Sequence, residues 1–428
     1  MSRITEEYIK KHPKSAKLAE AGLDLFPGGV THDNRRFSPF PVYMDRGQGA
    51  HKWDVDGNEY IDYRIGHGSM ILGHSHPAIV KAVTEAIAKG SHLSSSTELE
   101  VKWGNKVREL MPSVEKLRFH NSGTEAVMMA FRMVRVFTGK TKIIKFQDAF
   151  HGWADGPYVG TDLDQPGNGI PEQTRETMVI LPYDLGAVER TLNSDSDIAA
   201  VIFQGNVVIE PTFVQKLRVL TERKGVLLII DEVVSGFRWS RSGAQGIADV
   251  TPDLSTMAKI LAGGLPGGAV GGRAEVIDTI SKGKIAHPGT FNANPLSAAA
   301  GSTALSIVAN EPIGEIALGN ANRLKAGLND VLTKLEVPGC VYGVSSILHT
   351  RFGADHECDH TYCKEGAKAK GGWSKDAKDV LVQALANRGV YAWADSMILS
   401  AAHTDELIDK TVDAFEDSLN AMRADGTI

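Results

Sequence analysis

The sequence feature that most constrains the fold is an apolar run that ends abruptly on an acid. Residues 226–230 are Val-Leu-Leu-Ile-Ile, and Asp231 follows them directly. An apolar run of this length between polar residues is typical of a strand buried on both faces of a parallel sheet. Asp231 would then lie at the carboxyl end of that strand, where open α/β sheets bind ligands.

A lysine occurs in a comparable setting further along the chain. Lys259 lies in a short, mostly apolar run, residues 254–261, that precedes a Gly-rich turn. A buried carboxylate and a buried ammonium group are both unfavourable unless they are paired or used in chemistry. Pyridoxal phosphate enzymes use such a pair, an acid beside the ring nitrogen and a lysine that forms a Schiff base. Asp231 and Lys259 therefore predict pyridoxal phosphate as the cofactor.

Further apolar runs, separated by helical segments, predict a doubly wound, mostly parallel sheet. These candidate strands are residues 117–120, 142–146, 178–181 and 199–203. A chain of 428 residues is long enough for two domains. We expect an N-terminal arm and hairpin at 1–64 that belong to the small domain, a large cofactor-binding α/β domain at 65–310, and an α+β small domain at 311–428.

Two strand ends carry candidate cofactor ligands. Ser122, Gly123 and Thr124 stand between a strand and a helix, where free N–H groups and the helix dipole favour a phosphate, although an ordinary helix cap has the same pattern. Phe150 and His151 follow another strand beside a glycine. An aromatic ring there can stack on a planar cofactor, although an isolated aromatic is more often a core residue.

Two other segments contain candidate binding residues. Arg35 and Arg36 could clamp a carboxylate, but spacing alone favours a solvated basic pair. The string HECDHTYC, residues 356–363, has the composition of a zinc site. It lacks the usual second, distant pair of ligands, so we predict that it binds no metal.

Composition excludes several classes of function. The net charge of −6 gives no reason to expect nucleic acid or an anionic membrane as a partner. Three cysteines favour a reducing compartment, so we expect a cytoplasmic protein. The charged N-terminal segment has no apolar signal core, and no run is long enough to span a membrane. No GxGxxG motif follows a strand, and no Walker motif is present.

Taken together, these motifs resemble the class III aminotransferases, which are fold type I pyridoxal phosphate enzymes. Within that class the chain is most similar to the glutamate-1-semialdehyde aminomutase branch and its β-amino-acid aminotransferase relatives. The strings that carry the resemblance are FPGGV, GHSHP, FHNSGTEA, FHG, DEVVSGFR, TMAKILAGGLPGGAVGGR and GTF. They occur in the family's order between about residues 20 and 300, and the small domain matches less well.

The resemblance implies roles for individual residues around the cofactor ring. Lys259 would form the Schiff base and move protons, and Asp231 would hold the proton on the ring nitrogen. Val233 would pack on one face of the ring and Phe150 on the other. Many relatives have tyrosine at the position of Phe150, so any role of that hydroxyl is absent here.

The resemblance also implies where the rest of the ligands come from. Ser122, Gly123 and Thr124 would bind the phosphate, with Thr290 donated by the neighbouring subunit of a homodimer that has composite sites. Arg35 occupies the place of the arginine that contacts the substrate carboxylate.

The activity implied is amino transfer between a carboxylate-bearing amine, including β-amino acids, and a keto acid or aldehyde. The alternative is an intramolecular aminomutase of the glutamate-1-semialdehyde type. Gln204 stands where the aminomutase pattern has a glutamate in the active-site wall, which favours the aminotransferase and a changed substrate pocket. A non-catalytic protein that keeps the fold, a racemase and a decarboxylase are further alternatives.

Overall fold

The computed structural model describes residues 2–281, 283–354, 356, 358–363 and 372–428. The chain divides into two compact units. The small unit consists of Met1–His76 and Glu315–Ile428, and the large unit is Pro77–Gly314. The first boundary thus falls twelve residues or so after the position expected from the sequence, because the segment that follows the hairpin packs with the small unit.

The small unit begins with two helices and a three-stranded meander. These elements are α1 (Arg3–Lys11), α2 (Pro13–Leu25), β1 (Met44–Gln48), β2 (His51–Asp54) and β3 (Glu59–Asp62). The sequence pattern suggests one helix over residues 5–25, but Pro13 lacks the N–H that a continuous helix needs, so a second helix begins there. Asp56-Gly57 is a typical hairpin turn within the hairpin predicted for residues 1–64, and the antiparallel pairing of β2 with β3 confirms it.

The large unit alternates helices with strands along most of its length. Its first elements are α3 (Pro77–Ile87), α4 (Glu98–Leu110), β4 (Lys116–His120), α5 (Gly123–Thr138), β5 (Lys142–Phe146), α6 (Asp155–Tyr158), α7 (Glu172–Arg175), β6 (Met178–Leu181) and α8 (Leu185–Ser194). The remaining ones are β7 (Ile198–Gln204), α9 (Pro211–Arg223), β8 (Leu227–Asp231), α10 (Ala244–Ala248), β9 (Leu254–Ala258), β10 (Gly268–Gly272), α11 (Ala274–Ile277) and α12 (Pro295–Asn310).

A seven-stranded sheet organises the large unit, in the order β4-β10-β9-β8-β7-β5-β6. The strands from β9 to β6 in this order pair in parallel. Strand β10 runs antiparallel to both of its neighbours, so β4 has the same direction as β9. Six strands therefore place their carboxyl ends at one edge of the sheet, and the predicted mostly parallel α/β fold is confirmed.

Alternate residues of the central strands pack into two different cores. Ile143 and Ile229 belong to a core that also contains buried residues of α5. Ile144 and Leu228, one position away in each strand, belong to a core that contains residues of α8 and α9. Because both faces are covered by helices, these strands are apolar throughout, which is the pattern that the sequence shows.

The C-terminal part of the small unit is α+β, as expected. It contains α13 (Ile313–Lys334), β11 (Gly339–Tyr342), β12 (Ile347–Phe352), α14 (Lys375–Asn387), β13 (Val390–Tyr391), β14 (Ser396–Ile398) and α15 (Asp405–Ala424). Strand β13 extends the N-terminal meander to four strands, and β11, β12 and β14 form a separate sheet. Among the described helices, none combines the length and the hydropathy that crossing a membrane requires.

Candidate cofactor site

Asp231 is the last residue of β8 and is 4% exposed. One carboxylate oxygen, Oδ1, accepts hydrogen bonds from the backbone N–H of Val233 (3.0 Å) and from the Thr256 hydroxyl (3.2 Å). The other, Oδ2, lies 2.6 Å from Nδ1 of His151. An ionised carboxylate accepts about four hydrogen bonds. Three positions are used here, and the fourth is available to a further donor such as a protonated ring nitrogen.

His151 is buried behind this carboxylate. Its Nδ1 bonds to Asp231, whereas Nε2 is buried and has no hydrogen-bond partner among the described residues. Buried polar atoms in native proteins are usually satisfied, so an unpaired one needs an explanation such as a ligand or an ordered water. Because His151 bonds to Oδ2, whereas Val233 and Thr256 bond to Oδ1, it helps to fix the orientation of the Asp231 carboxylate.

Lys259 follows β9 directly and has strained backbone geometry. Its φ angle is +54°, in the left-handed region that residues other than glycine seldom adopt. The Nζ atom forms no hydrogen bond or ion pair with the described residues. Burial lowers the pKa of Lys259, the charge of Asp231 raises it, and the charge of Arg238 lowers it. A lowered pKa favours the neutral amine, which is the form that attacks a carbonyl group.

The N-terminus of α5 presents backbone donors at the predicted phosphate site. The Ser122 side chain caps the helix by accepting the backbone N–H of Glu125 (3.2 Å). The backbone N–H groups of Gly123 and Thr124, in the first turn, find no acceptor among the described residues. A 16-residue helix directs these donors and the positive end of its dipole to one point, which suits a phosphate.

Two close approaches, both at glycines, bring these groups together. A Cβ atom at Gly123 would lie 2.9 Å from the side chain of Val233 and 3.4 Å from that of Ala258, the residue before Lys259. A Cβ atom at Gly152 would lie 2.6 Å from the Thr124 hydroxyl. The helix N-terminus, the strand-end acid and the lysine are therefore neighbours, and only glycine fits at these contacts.

Phe150 and Gln204 form one wall of the site. The Phe150 side chain is 47% exposed, and its backbone N–H donates to Oε1 of Gln204 (2.9 Å). Nε2 of Gln204 donates to the side chain of Asn206 (3.0 Å), and Gln204 pairs with Asp231 across β7 and β8. Gln204 thus holds the Phe150 loop in place, a role beyond the substrate contact predicted for it.

Thr290 is exposed, and its carbonyl oxygen accepts a hydrogen bond from Nε2 of His92 (2.7 Å). No hydrogen bond joins it to the N-terminus of α5 in the described part of the chain. Its predicted role as a phosphate ligand for a neighbouring subunit stays a prediction.

Arg35 belongs to the small unit, where it lines a cavity of about 370 Å³. Lys52 and Arg64 line the same cavity, but Lys52 is paired with Asp62 (3.0 Å). Arg35 donates to the Thr31 hydroxyl (2.9 Å) and contacts no acid among the described residues. Arg36, in contrast, lies 3.7 Å from Asp33. Of the predicted basic pair, Arg35 is therefore the residue free to bind a carboxylate.

Thr256 is the residue of this site that sequence reasoning missed. It lies opposite Asp231 in the pairing of β8 with β9, and its hydroxyl reaches the carboxylate. The sequence signal would have been the adjacency of the two strands, since a polar residue inside a buried strand needs a partner. A second omission concerns the HECDHTYC string, because Cys340, outside the string, lies beside it.

The arrangement as a whole fits pyridoxal phosphate. With respect to the described residues, it offers N–H donors without acceptors for a phosphate, a buried acid with an open acceptor position for a ring nitrogen, and a lysine Nζ without a hydrogen bond for an aldehyde. The buried, unsatisfied Nε2 of His151 and the two glycine contacts are the observations that indicate a ligand here rather than a plain core.

Comparisons with known proteins agree with this fit. The family model for aminotransferase class III matches residues 33–418. A glutamate-1-semialdehyde 2,1-aminomutase from Methanopyrus kandleri is 37% identical, over 97% of this chain and 99% of the relative. The relatives' names support the predicted alternative, the aminomutase, better than the predicted main activity.

Solved structures extend the comparison. An omega-transaminase from Sphaerobacter thermophilus has a TM-score of 0.86 at 33% identity, covering 96% of this chain and 98% of that one. A β-phenylalanine aminotransferase from Variovorax paradoxus has a TM-score of 0.85 at 27% identity, covering 98% and 97%. Similar structures also include a transaminase with the cofactor bound.

Proposed function

The chain belongs to the class III aminotransferases and uses pyridoxal phosphate, and on that premise we propose that it is an aminomutase of the glutamate-1-semialdehyde type. In this reaction the amino group moves between two carbons of one carboxylate-bearing substrate. The observation that carries the amino-transfer chemistry is Lys259, which interacts electrostatically with the buried Asp231 and whose Nζ has no hydrogen bond to a described residue. The choice of an intramolecular reaction rests on relatives that are 36–38% identical and bear that name.

The cofactor, when bound, supplies an aldehyde that captures an amine and a ring that withdraws electrons from the adjacent carbon. Asp231 would hold the ring nitrogen and keep its proton in place, because the buried carboxylate can accept that N–H. His151 and Thr256 hold the carboxylate in the orientation that this bond requires. The N-terminus of α5 binds the phosphate and thereby fixes the position of the ring.

Lys259 would act first as the amine that binds the cofactor aldehyde and then as the base. As the base, Nζ in its neutral form would take up the proton from the substrate carbon that bears the nitrogen and hold it for return during the transfer. Burial favours this neutral state by lowering the pKa of the amine. Val233 and Phe150 limit the space on the two faces of the ring, and Arg35 is proposed as the group that binds the substrate carboxylate.

The second candidate is an aminotransferase that moves the amino group of a carboxylate-bearing amine, such as a β-amino acid, to a separate keto acid or aldehyde. The observation that favours it is Gln204, an amide at a position where the aminomutase pattern has a glutamate. The amide bonds to the Phe150 backbone and to Asn206, so the wall has a different charge from that of the aminomutase pattern.

One experiment separates the two candidates. Purified holoenzyme is incubated with glutamate 1-semialdehyde and no keto acid, and 5-aminolevulinate is measured over many turnovers. The aminomutase proposal predicts sustained product formation without an acceptor, and none with Lys259→Ala. If no 5-aminolevulinate forms, and a new amino acid forms only when a β-amino acid and a keto acid are both present, the aminotransferase is the function.

We further propose a cytoplasmic homodimer in which Thr290 completes the phosphate site of the other subunit. The exposure of Thr290 and of Phe291 (58%) supports this, as do three cysteines without a disulfide. The test mixes Thr290→Ala with Lys259→Ala subunits after dissociation. A hybrid dimer contains one intact site if Thr290 acts in the other subunit, so activity is recovered on mixing. No recovery from dimers that do exchange subunits contradicts the proposal.

A further inference from the structure

Four potential metal ligands meet in the small unit. Cys340, His356, Cys358 and Cys363, here called the cysteine–histidine cluster, have ligand atoms that all lie within 4.8 Å of one another. Cys340 lies on β11, and the other three residues belong to the segment that follows β12. The prediction that this segment binds no metal rested on the lack of a second, distant pair of ligands. Cys340, 16 residues before His356, instead adds one distant ligand to the three in the segment.

The spacing within the cluster suits a tetrahedral metal. Nε2 of His356 lies 3.2 Å from the sulfur of Cys340 and 3.2 Å from that of Cys363. The two sulfurs are 3.7 Å apart. Zinc bonds of about 2.3 Å to sulfur and about 2.0 Å to nitrogen place tetrahedral ligand atoms roughly 3.5–3.8 Å apart. A disulfide would need sulfurs about 2.0 Å apart, and all three cysteines are free.

The histidine is oriented as a ligand. Nδ1 of His356 lies 3.1 Å from the backbone carbonyl oxygen of Ala354, an acceptor only, so Nδ1 carries the proton and donates. Nε2 is then the unprotonated nitrogen, and it faces the sulfurs. A ligating histidine in proteins commonly has such a carbonyl or carboxylate on its other nitrogen, which fixes its tautomer and ring orientation.

Local hydrogen bonds hold Cys363 and its segment in place. Oδ1 of Asp359 accepts the backbone N–H groups of Thr361 (2.8 Å), Tyr362 (2.9 Å) and Cys363 (3.2 Å), which forms the turn that presents Cys363. The backbone N–H of Gly343 donates to the His360 carbonyl (3.3 Å), which joins the segment to the end of β11. Cys340 and Cys363 are buried, and Cys358 and His356 are half-buried.

We propose that the cysteine–histidine cluster binds one Zn²⁺ in a closed Cys₃His site. Three thiolates and an imidazole in tetrahedral positions are the ligand set that zinc prefers, and softer ligands disfavour Mg²⁺ and Ca²⁺. All four positions are occupied by protein atoms, so the ion is structural and has no open position for a substrate. The ion would link the segment after β12 to β11. Both belong to the small unit, whereas the predicted cofactor ligands of the α/β sheet belong to the large unit.

The test measures zinc by inductively coupled plasma mass spectrometry in the full-length, untagged holoenzyme, after dialysis against metal-free buffer. We expect about one zinc per chain. Replacement of the ion by Co²⁺ should give the visible absorption of tetrahedral, thiolate-bound cobalt. Wild-type protein that holds no zinc, even after incubation with equimolar zinc sulfate, would overturn the proposal. So would thiol titration in denaturant without reductant that finds one thiol, since two cysteines would then be joined.

Variants keep the result independent of folding defects. Cys358→Ser is the first choice, because Cys358 is less buried than the other two cysteines. It should lower zinc content by about tenfold or more, as should His356→Gln, while the cofactor absorbance is kept. His360→Asn is the matched control, since His360 lies in the same string but outside the cluster, and asparagine tolerates its φ of +56°. Zinc retained by Cys358→Ser, or lost equally from His360→Asn, overturns the assignment.

Discussion

The cofactor site and the cysteine–histidine cluster both gather polar residues that are far apart in the chain, but they leave them in different states. At the cofactor site, Nζ of Lys259 and Nε2 of His151 lack partners among the described residues, and the Lys259 backbone is strained. In the cluster, His356 contacts two sulfurs and a carbonyl. Unpaired buried groups indicate chemistry on a bound molecule, whereas four converging ligands indicate a structural ion.

The variant with the largest expected effect on this comparison is at Lys259. Lys259→Ala should lower the turnover rate by about 10⁴-fold or more, because the protein loses both the amine that binds the cofactor and the catalytic base. The visible absorbance of the lysine-bound cofactor should disappear as well. Lys145→Met is a matched control, since Lys145 is a buried lysine whose Nζ donates to the Pro157 carbonyl (2.7 Å). That variant should lose stability and keep the absorbance. Turnover retained by Lys259→Ala contradicts the account.

Asp231→Asn should lower the turnover rate by about 10²–10³-fold, because the ring nitrogen loses its negatively charged partner. Asp253→Asn is the control at a structural acid, which is paired with Arg218 and Arg273. Steady-state kinetics and thermal melts, run on both variants, should show the loss mainly in rate for Asp231 and mainly in melting temperature for Asp253. Equal loss of melting temperature with normal turnover in both would assign Asp231 a structural role.

Removal of zinc is the corresponding test of the cluster. A chelator such as EDTA, at a temperature below the transition, should lower the melting temperature by roughly 5 °C, because the ion binds the folded chain only. Turnover measured below the transition should change little, since the ion has no open position. Zinc added back should restore the melting temperature, and Cys358→Ser should no longer respond to the chelator. A parallel loss of turnover at low temperature would mean that the two sites are not independent.

Acid should destabilise the small unit through a buried histidine. His403 is 2% exposed, and burial lowers its pKa from 6.5 to about 4, against the opposing effect of Asp62. Between pH 6.5 and about 4, the unfolded chain therefore binds a proton at His403, whereas His403 of the folded chain stays neutral. Stability is full above pH 6.5 and falls as the pH drops through this window, by up to about 2 kcal/mol at pH 5.

Denaturant unfolding at pH 7 and pH 5 measures this effect. His403→Gln should be less stable than wild type at pH 7, because Nδ1 of His403 accepts the Ser400 backbone N–H (3.1 Å). Its stability should nevertheless fall less between the two pH values. An equal fall in both proteins would show that other groups cause the acid sensitivity.

The smallest expected effect concerns the wall of the cofactor site. Gln204→Ala should lower kcat/KM by about 5–10-fold, because the Phe150 N–H loses its acceptor. Gln204→Glu keeps an acceptor and should retain the cofactor affinity while it shifts the preference among substrates. Assays of both candidate reactions on the two variants distinguish the effect of Gln204 on the position of the Phe150 loop from its effect on the charge of the site wall. Identical behaviour of alanine and glutamate variants would exclude a positioning role.

The sequence brings Asp231 and Lys259 together more readily than it brings Cys340 to the cluster, for a physical reason. Asp231 and Lys259 each follow an apolar run, and the ends of parallel strands meet at one edge, so local patterns suffice to place them together. The contact of Thr256 with Asp231 depends on which strands are neighbours, and that order is a property of the folded sheet. Cys340 is missed for the same reason, since β11 pairs with β12 and thereby brings it to the segment that follows.

The central claim, that this sheet edge holds pyridoxal phosphate on Lys259, is tested most directly by borohydride trapping. The holoenzyme is reduced with sodium borohydride, digested, and mapped by mass spectrometry. Reduction makes the link between the cofactor and its lysine permanent. The account predicts a phosphopyridoxyl group on the peptide that contains Lys259 and on no other lysine. A modified peptide that contains Lys145 or another lysine, or no modified peptide from cofactor-loaded protein, would contradict it.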